Sequence, residues 1–501
     1  MINWKGRTTG KHVNQTAPRP ELAERPQIPT QRPNDSTPPR SDLMPSTNSH
    51  LTVREKIAYG LGDTASNFFF QFFNLFLLFY YTDVFGLEAA AVGTMFLVIR
   101  IFDAVMDPLM GMIADRTNSR WGKFRPYILW GALPYGIIGY IMFVNPSLSA
   151  HGRLVFAYVT YGLMWVAYTA INIPYSALMG VMSPSSEERT SLSTYRFVFA
   201  FSGQFLIALL VVKLKDFLGG GNEAAGFRYT MLLFSVISVA MFLYTFAMTR
   251  ERVQPPSDQV GSLRKDLTTL VSNGPWVVLF FSAIFTLTNT AVRGASIIYY
   301  FKYVVRDEGK VALYMSAGSL AFIAGAASTK LFLRWFERRP LMIGLTLLNA
   351  VIMASFYFVN PQTLWLLYAL NILATFLVGP TPAMLWSMYA DTADYGEWKF
   401  GRRTTGLVFS AAVFSQKLGL AIGAALAGWM LHYFGFVANA AQNGRTLHGI
   451  NLMFSIGPAV FAILGGLAIF FYPLTETQVK TIERDLAARK GSAAAAGAAT
   501  A

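Results

Sequence analysis

The chain has 501 residues, 53% of them hydrophobic and only 14% charged, with a formal net charge of +14 and a mean hydropathy of +0.40. A soluble chain of this length needs a more polar surface, so the composition excludes a soluble globular protein. Cysteine is absent and the five histidines are scattered, which excludes disulfides, thiolate nucleophiles and thiolate metal sites.

Residues 1–55 are rich in proline and polar side chains and show no apolar period, so they are expected to form a disordered N-terminal tail. The tail lacks the apolar core of a signal peptide, and both Met1 and Met44 are candidate starts. From about residue 59 to about residue 474, apolar runs recur, each long enough for the ~20 residues that cross a bilayer as a helix. Twelve spans are predicted, at 59–82, 89–114, 126–145, 153–182, 191–213, 228–249, 274–303, 310–334, 339–359, 363–390, 404–434 and 449–473. The fold class is an all-α membrane protein, with twelve transmembrane helices in two pseudo-symmetric six-helix bundles. The bundles are expected at 56–249 and 273–475, joined by a cytoplasmic middle loop at 250–272 and followed by a cytoplasmic tail at 476–501 whose low-complexity end, GSAAAAGAATA, is expected to be loose.

The excess of lysine and arginine sits mostly in short loops. Arg116, Arg120, Lys123 and Arg125 follow span 2; Arg250, Arg252, Arg264 and Lys265 follow span 6; Arg334, Arg338 and Arg339 follow span 8; Lys399, Arg402 and Arg403 follow span 10. The positive side is expected to be cytoplasmic, with both termini inside. In this setting the positive charge orients the chain in a lipid bilayer and does not call for nucleic acid. A weak internal repeat supports the six-plus-six plan: NIPYSALMG in span 4 leads to ERTSLS, and PTPAMLWSM in span 10 leads to RRTTGL. Pro174, Pro380 and Pro382 fall inside spans, where they can kink a helix.

Span 2 carries Arg100, Asp103 and Asp107 at i, i+3 and i+7, which places all three on one helix face. Each charge near mid-membrane costs roughly 2.5–3.5 kcal/mol on insertion scales. Two acids four apart also repel unless a proton, a metal ion or a basic side chain lies between them. Arg196 in span 5, Arg293 in span 7 and Lys417 in span 11 are available as partners. Asp63 and Asn67 in span 1, and Thr169 and Asn172 in span 4, add oxygens that suit a hydroxyl or a small cation. Trp165, Tyr168, Tyr175, Tyr195, Tyr299, Tyr300, Trp386 and Tyr389 interleave with them. An aromatic face beside such polar groups fits a sugar ring, although most aromatics in a membrane protein serve packing.

YGLGD near residue 59, FYYTDVFGL at 79–87, RIFDAVMDPLMGMIADRTNSRWGKFRPYIL at 100–129, NIPYSALMG at 172–180 and ADTADYGEWKFGRRTTGL at 390–407 form a series of motifs. Through them the sequence, over about residues 52–485, resembles the glycoside–pentoside–hexuronide:cation symporters of the major facilitator superfamily, which include melibiose permease. The resemblance implies alternating access around a central sugar site. It implies that Asp103 and Asp107 hold the coupling cation, a proton or sodium, that Thr169 contributes, that Lys417 lies close and that Arg196 contacts sugar. Acids that melibiose permease carries in spans 1 and 4 are Asn67 and Asn172 here. A span-4 tryptophan is Ser176, and a span-10 tryptophan position is Pro382, with Trp386 one turn on. The lost acids favour a proton over sodium.

The expected function is import of a sugar or glycoside (a pentoside, hexuronide or oligosaccharide) by cation symport, in a bacterial inner membrane, by a monomer without a cofactor. Asp103, Asp107, Thr169, Asn172 and Lys417 form the expected coupling set, with sodium an option at the two acids. Asp63, Asn67, Tyr168, Asn172, Arg196, Arg293 and Trp386 form the expected sugar set. Arg196 and Arg293 are expected to face each other across the cavity. Asp115, Arg116 and Arg120 are expected to gate the loop after span 2 by pairing with neighbouring helix ends. A lipid or amphiphile transporter of the same fold is the main alternative. No metal-binding helix, nucleophile elbow or Cys/His set argues for a membrane enzyme.

Overall fold

The computed structural model describes residues 50–183, 186–252, 268–401 and 405–500, with the backbone alone at Asp115, at several helix-end positions and throughout 490–500. Among the described residues, twelve long helical segments can be followed in chain order before the C-terminal helix. They are α1 (Val53–Leu75, continued by Leu77–Phe79 and a π-helical turn, Tyr80–Val84), α2 (Ala89–Arg116), α3 (Arg125–Ile141), α4 (Ala150–Met182), α5 (Ser186–Gly219) and α6 (Glu223–Met248). The second set is α7 (Gly274–Tyr299, continued by a π-helical turn, Tyr300–Val305), α8 (Val311–Ala327 with Thr329–Leu333) and α9 (Arg338–Ser355). It ends with α10 (Leu364–Val378 with Thr381–Phe400), α11 (Thr405–Tyr433) and α12 (Gly444–Phe454 with Ile456–Phe470). A further helix, α13 (Glu476–Thr500), follows.

Ten of these segments are long and apolar enough to cross a membrane on length and composition. α3 is shorter, at 17 residues. α1 is diluted by Asp63, Asn67, Gln71 and Asn74. Its start follows from local chemistry: the Thr52 side chain accepts from the Glu55 amide while Glu55 reaches back to the Thr52 amide.

Packing repeats with a shift of six helices. α1 lies against α5 and α6, as α7 lies against α11 and α12. α3 pairs with α6, as α9 pairs with α12, and α2 with α4, as α8 with α10. The halves meet where α2 packs on α11, α5 on α8 and α1 on α7. Apart from Lys417 on α11, which pairs with Asp103 and Asp107 on α2, the hydrogen bonds and ion pairs across this seam cluster at the end that carries Asp83. There Lys215 reaches Glu308 (2.8 Å), the Thr82 and Tyr299 hydroxyls bond (2.7 Å), and Asn439 Nδ2 donates to the Asp83 carbonyl (2.5 Å).

Three expectations change. The first helix begins at Val53, inside the expected 1–55 tail, and residues 1–49 lie outside the described ones. Most of the 250–272 loop also lies outside them, but residues 268–271 are already helical. The end expected to be loose, GSAAAAGAATA, is helical as far as Thr500 and completes α13, a conformation that its alanines favour. Pro174 sits within an unbroken α4, whereas α10 does break, at Gly379 and Pro380.

Candidate functional site

The charged face of α2 is buried against α4 and α11. Asp103 is 1% exposed. Thr169 Oγ1, on α4, donates to Asp103 Oδ1 at 2.7 Å and lies 3.1 Å from Asp107 Oδ1. Lys417 Nζ, on α11, donates to Asp103 Oδ2 at 3.0 Å and also to Asp107 Oδ2. One ammonium therefore stands between two carboxylates that would otherwise repel. Arg100, one turn before Asp103, lies 3.8 Å from its Oδ2 and stacks 3.4 Å above the Trp165 ring.

A second cluster joins α1, α4 and α5. Arg196 Nε lies 3.4 Å from Asp63 Oδ1, and Arg196 Nη2 donates to Ser176 Oγ at 3.3 Å. The guanidinium stands 5.3 Å from the centre of the Tyr175 ring. Tyr175 is itself fixed: it stacks on Tyr59 at 4.6 Å, and each hydroxyl donates to the other's backbone carbonyl. Tyr168 packs its ring on Trp165 and Phe70, with ring centres 4.9 and 6.3 Å apart. Asn67 donates to the Asp63 carbonyl (2.9 Å) and Asn172 to the Tyr168 carbonyl (3.0 Å), so both amides back-bond along their own helices.

The fold thus brings together Asp103, Asp107, Thr169 and Lys417, and separately Asp63 and Arg196. It does not bring Arg293 to Arg196. Arg293 is buried among residues of its own half: Nη1 donates to the Phe454 carbonyl, Nη2 to Tyr314 Oη at 2.7 Å, and the Phe356 and Phe454 rings flank it at 4.3 Å. The expected pair of facing guanidiniums is not formed. Trp386 stacks on Phe409, with ring centres 5.8 Å apart. Tyr299 and Tyr389 spend their hydroxyls on Thr82 and the Leu279 carbonyl.

The loop after α2 is organised by a residue that the sequence reading passed over. Glu251 accepts from the backbone amides of Lys123 (2.8 Å), Phe124 (2.8 Å) and Arg125 (3.0 Å), and so places a carboxylate at the N-terminus of α3. Arg116 is exposed and Arg120 stacks on Trp121; the Asp115 side chain lies outside those described. A second overlooked group is Asp83, which accepts from Thr82 (2.7 Å), Lys302 (3.2 Å) and Tyr303. Its signal was an acid inside the apolar run YYTDV. Among the described residues, no group of three or more His, Cys, Asp or Glu gathers to hold a metal ion.

Two six-helix halves with charged pairs at their seam define a secondary membrane transporter of the major facilitator fold. The inward-open structure of the xylose transporter XylE from E. coli superposes with a TM-score of 0.55 at 14% identity, over 86% of this chain and 97% of that one. Residues 58–476 match the family described as MFS/sugar transport protein, and the chain belongs to that family. It is a transporter and not an enzyme. The inner membrane symporter YicJ of Escherichia coli (strain K12) is 38% identical over 442 residues, 88% of this chain and 96% of YicJ. The isoprimeverose transporter of Lactiplantibacillus pentosus is 33% identical over 434 residues, 85% of this chain and 90% of that protein.

Proposed function

We propose that the protein imports a sugar or glycoside by symport with a cation, a proton in preference to sodium, through alternating access. The observation that carries this reading is the position of Lys417 Nζ between Asp103 and Asp107. In the conformation described, the ammonium fills the place a coupling cation would take. A proton arriving on either carboxylate weakens the hold on Lys417, so loading the ion and releasing α11 from α2 become one event. Sodium would have to displace the ammonium at a site where Asn67 and Asn172 add no anionic oxygen. Sugar as cargo is supported by the family description and by the name of the isoprimeverose relative.

Asp63 and Arg196 supply hydroxyl-binding groups, with Tyr168 and Trp386 as apolar walls. The basic loops are placed in the cytoplasm, with both termini, by the positive-inside rule. A bacterial inner membrane is supported by the name of YicJ. The protein is read as acting as a monomer on a small molecule.

The test is uptake of radiolabelled glycosides into proteoliposomes in sodium-free buffer with an imposed pH gradient. Accumulation that collapses with a protonophore supports proton symport. Strict dependence on sodium overturns the choice of ion, and failure of every glycoside to exchange overturns the cargo.

A further inference from the structure

The pairing of Asp63 with Arg196 has a chemical consequence for the cargo. A guanidinium alone offers only donors and a positive charge, which suits a carboxylate. Here Asp63 lies 3.4 Å from Arg196 Nε, and its second oxygen, Oδ2, has no hydrogen-bond partner among the described residues. The side chains retain 25% and 11% exposure for Arg196 and Asp63. The pair presents a donor and an acceptor side by side with no net charge.

A vicinal diol matches that pair. Each sugar hydroxyl both donates and accepts, so one can donate to Asp63 while its neighbour accepts from Arg196. A carboxylate can only accept. It would compete with Asp63 for one guanidinium and bring two anions together in a partly buried place, where repulsion is weakly screened. The other cations near mid-membrane are already committed. Lys417 is held by Asp103 and Asp107, Arg100 lies against Asp103 and Trp165, and Arg293 is enclosed in its own half.

We propose that Asp63 is a specificity-determining residue, which neutralises Arg196 and makes the site select uncharged glycosides over uronides. This rests on the reading of the protein as a sugar transporter. It narrows the cargo from the pentosides, hexuronides and oligosaccharides admitted by sequence to the neutral members.

The test is exchange transport in proteoliposomes with matched pairs that differ only at the sugar's C6: 4-nitrophenyl β-glucoside against β-glucuronide, and the galactoside against the galacturonide. The parent should favour the neutral member of a pair. Asp63→Asn removes the negative charge at nearly constant volume and should shift the ratio towards the uronide by tenfold or more. Asp63→Glu keeps the charge and should keep the neutral preference, which separates charge from fold if Asp63→Asn is poorly produced. A parent that favours uronides, or a neutral preference unchanged in Asp63→Asn, overturns the inference while leaving sugar transport intact. A parent that moves no member of either pair overturns both.

Discussion

Asp83 and Lys302 join the two halves through the π-helical turns that end α1 and α7, in an ion pair of 3.2 Å beside the Tyr303 hydroxyl. π-turns are rare and concentrate at functional places. Here two occupy equivalent positions in the repeat and meet at the seam. If this is the contact that closes one end, Asp83→Asn should open it. Hydrogen bonds to a charge are worth roughly 1.5–3 kcal/mol each, so the closed population should fall about tenfold or more relative to the open one. The chain has no cysteine, so spin labels at Phe217→Cys and Val437→Cys, both exposed at this end, need no background removal. Asp83→Asn should shift their distance distribution to longer values. An unchanged distribution would remove the gating role.

Asp103→Asn and Asp107→Asn should each abolish accumulation against a gradient, while exchange of sugar for sugar persists. A drop of at least roughly tenfold is the scale set by one lost charge-assisted bond. Lys417→Met should have the opposite signature in part: with no ammonium between them, the two acids bind cation more readily and release it poorly. Uptake ratios and efflux rates in proteoliposomes separate the three variants, and wild-type accumulation in both Asp variants would end the coupling role.

Arg293 and Arg196 should now part company. Arg196→Lys keeps the charge but loses the fork, and glycoside affinity should fall about tenfold, or ~1.4 kcal/mol. Arg293→Met should leave affinity near the parent's and lower stability by about 1–3 kcal/mol, since Tyr314 Oη and the Phe454 carbonyl lose their donor. Binding constants and melting temperatures in detergent check both. Lost affinity with intact stability in Arg293→Met would return it to the ligand set.

The helix α13 should be released by acid. Glu476 accepts from Arg338 Nε (2.5 Å) and Nη2 (3.0 Å), and these bonds hold its carboxyl below the usual range despite partial burial. A depressed carboxyl contributes stability above the range of the unfolded chain and loses it as pH falls through the folded value. The parent should therefore melt above Glu476→Gln at neutral pH, and the difference should close in acid. A gap that stays constant with pH would show that the ion pair is not its source.

The helix order and the charged face of α2 were legible because both are written in single runs: twenty apolar residues, or three charges on one face. Lys417 was legible only as a candidate, since nothing in the spacing of α11 says which acid it meets. The partners of Arg293 could not be read at all. Two of them, Phe454 and Tyr314, lie on helices whose rotation is set by packing, and an arginine buried by aromatic rings reads in sequence like one that faces a ligand. Glu251 and Asp83 were missed for a related reason: a lone acid shows its purpose only when distant amides, or a distant lysine, arrive beside it. The alanine-rich end reads as loose by its low complexity, but alanine's helix propensity carries α13 through it.

Where α2 crosses α11 there is no room for side chains. A methyl group on Gly428 would come within 2.4 Å of the Ala89 carbonyl, and one on Gly93 within 2.7 Å of the Ala425 carbonyl. Backbone touches backbone there, which makes the crossing a fulcrum. Asp103 hangs ten residues below Gly93, an arm of about 15 Å at ~1.5 Å per residue. Rotation by only about 10° then swings its carboxylate by roughly 2.6 Å, comparable with the whole length of its bond to Lys417. The two helices meet like the blades of scissors carrying opposite charge, and a small change of angle at the glycines would be enough to part Asp103 from Lys417.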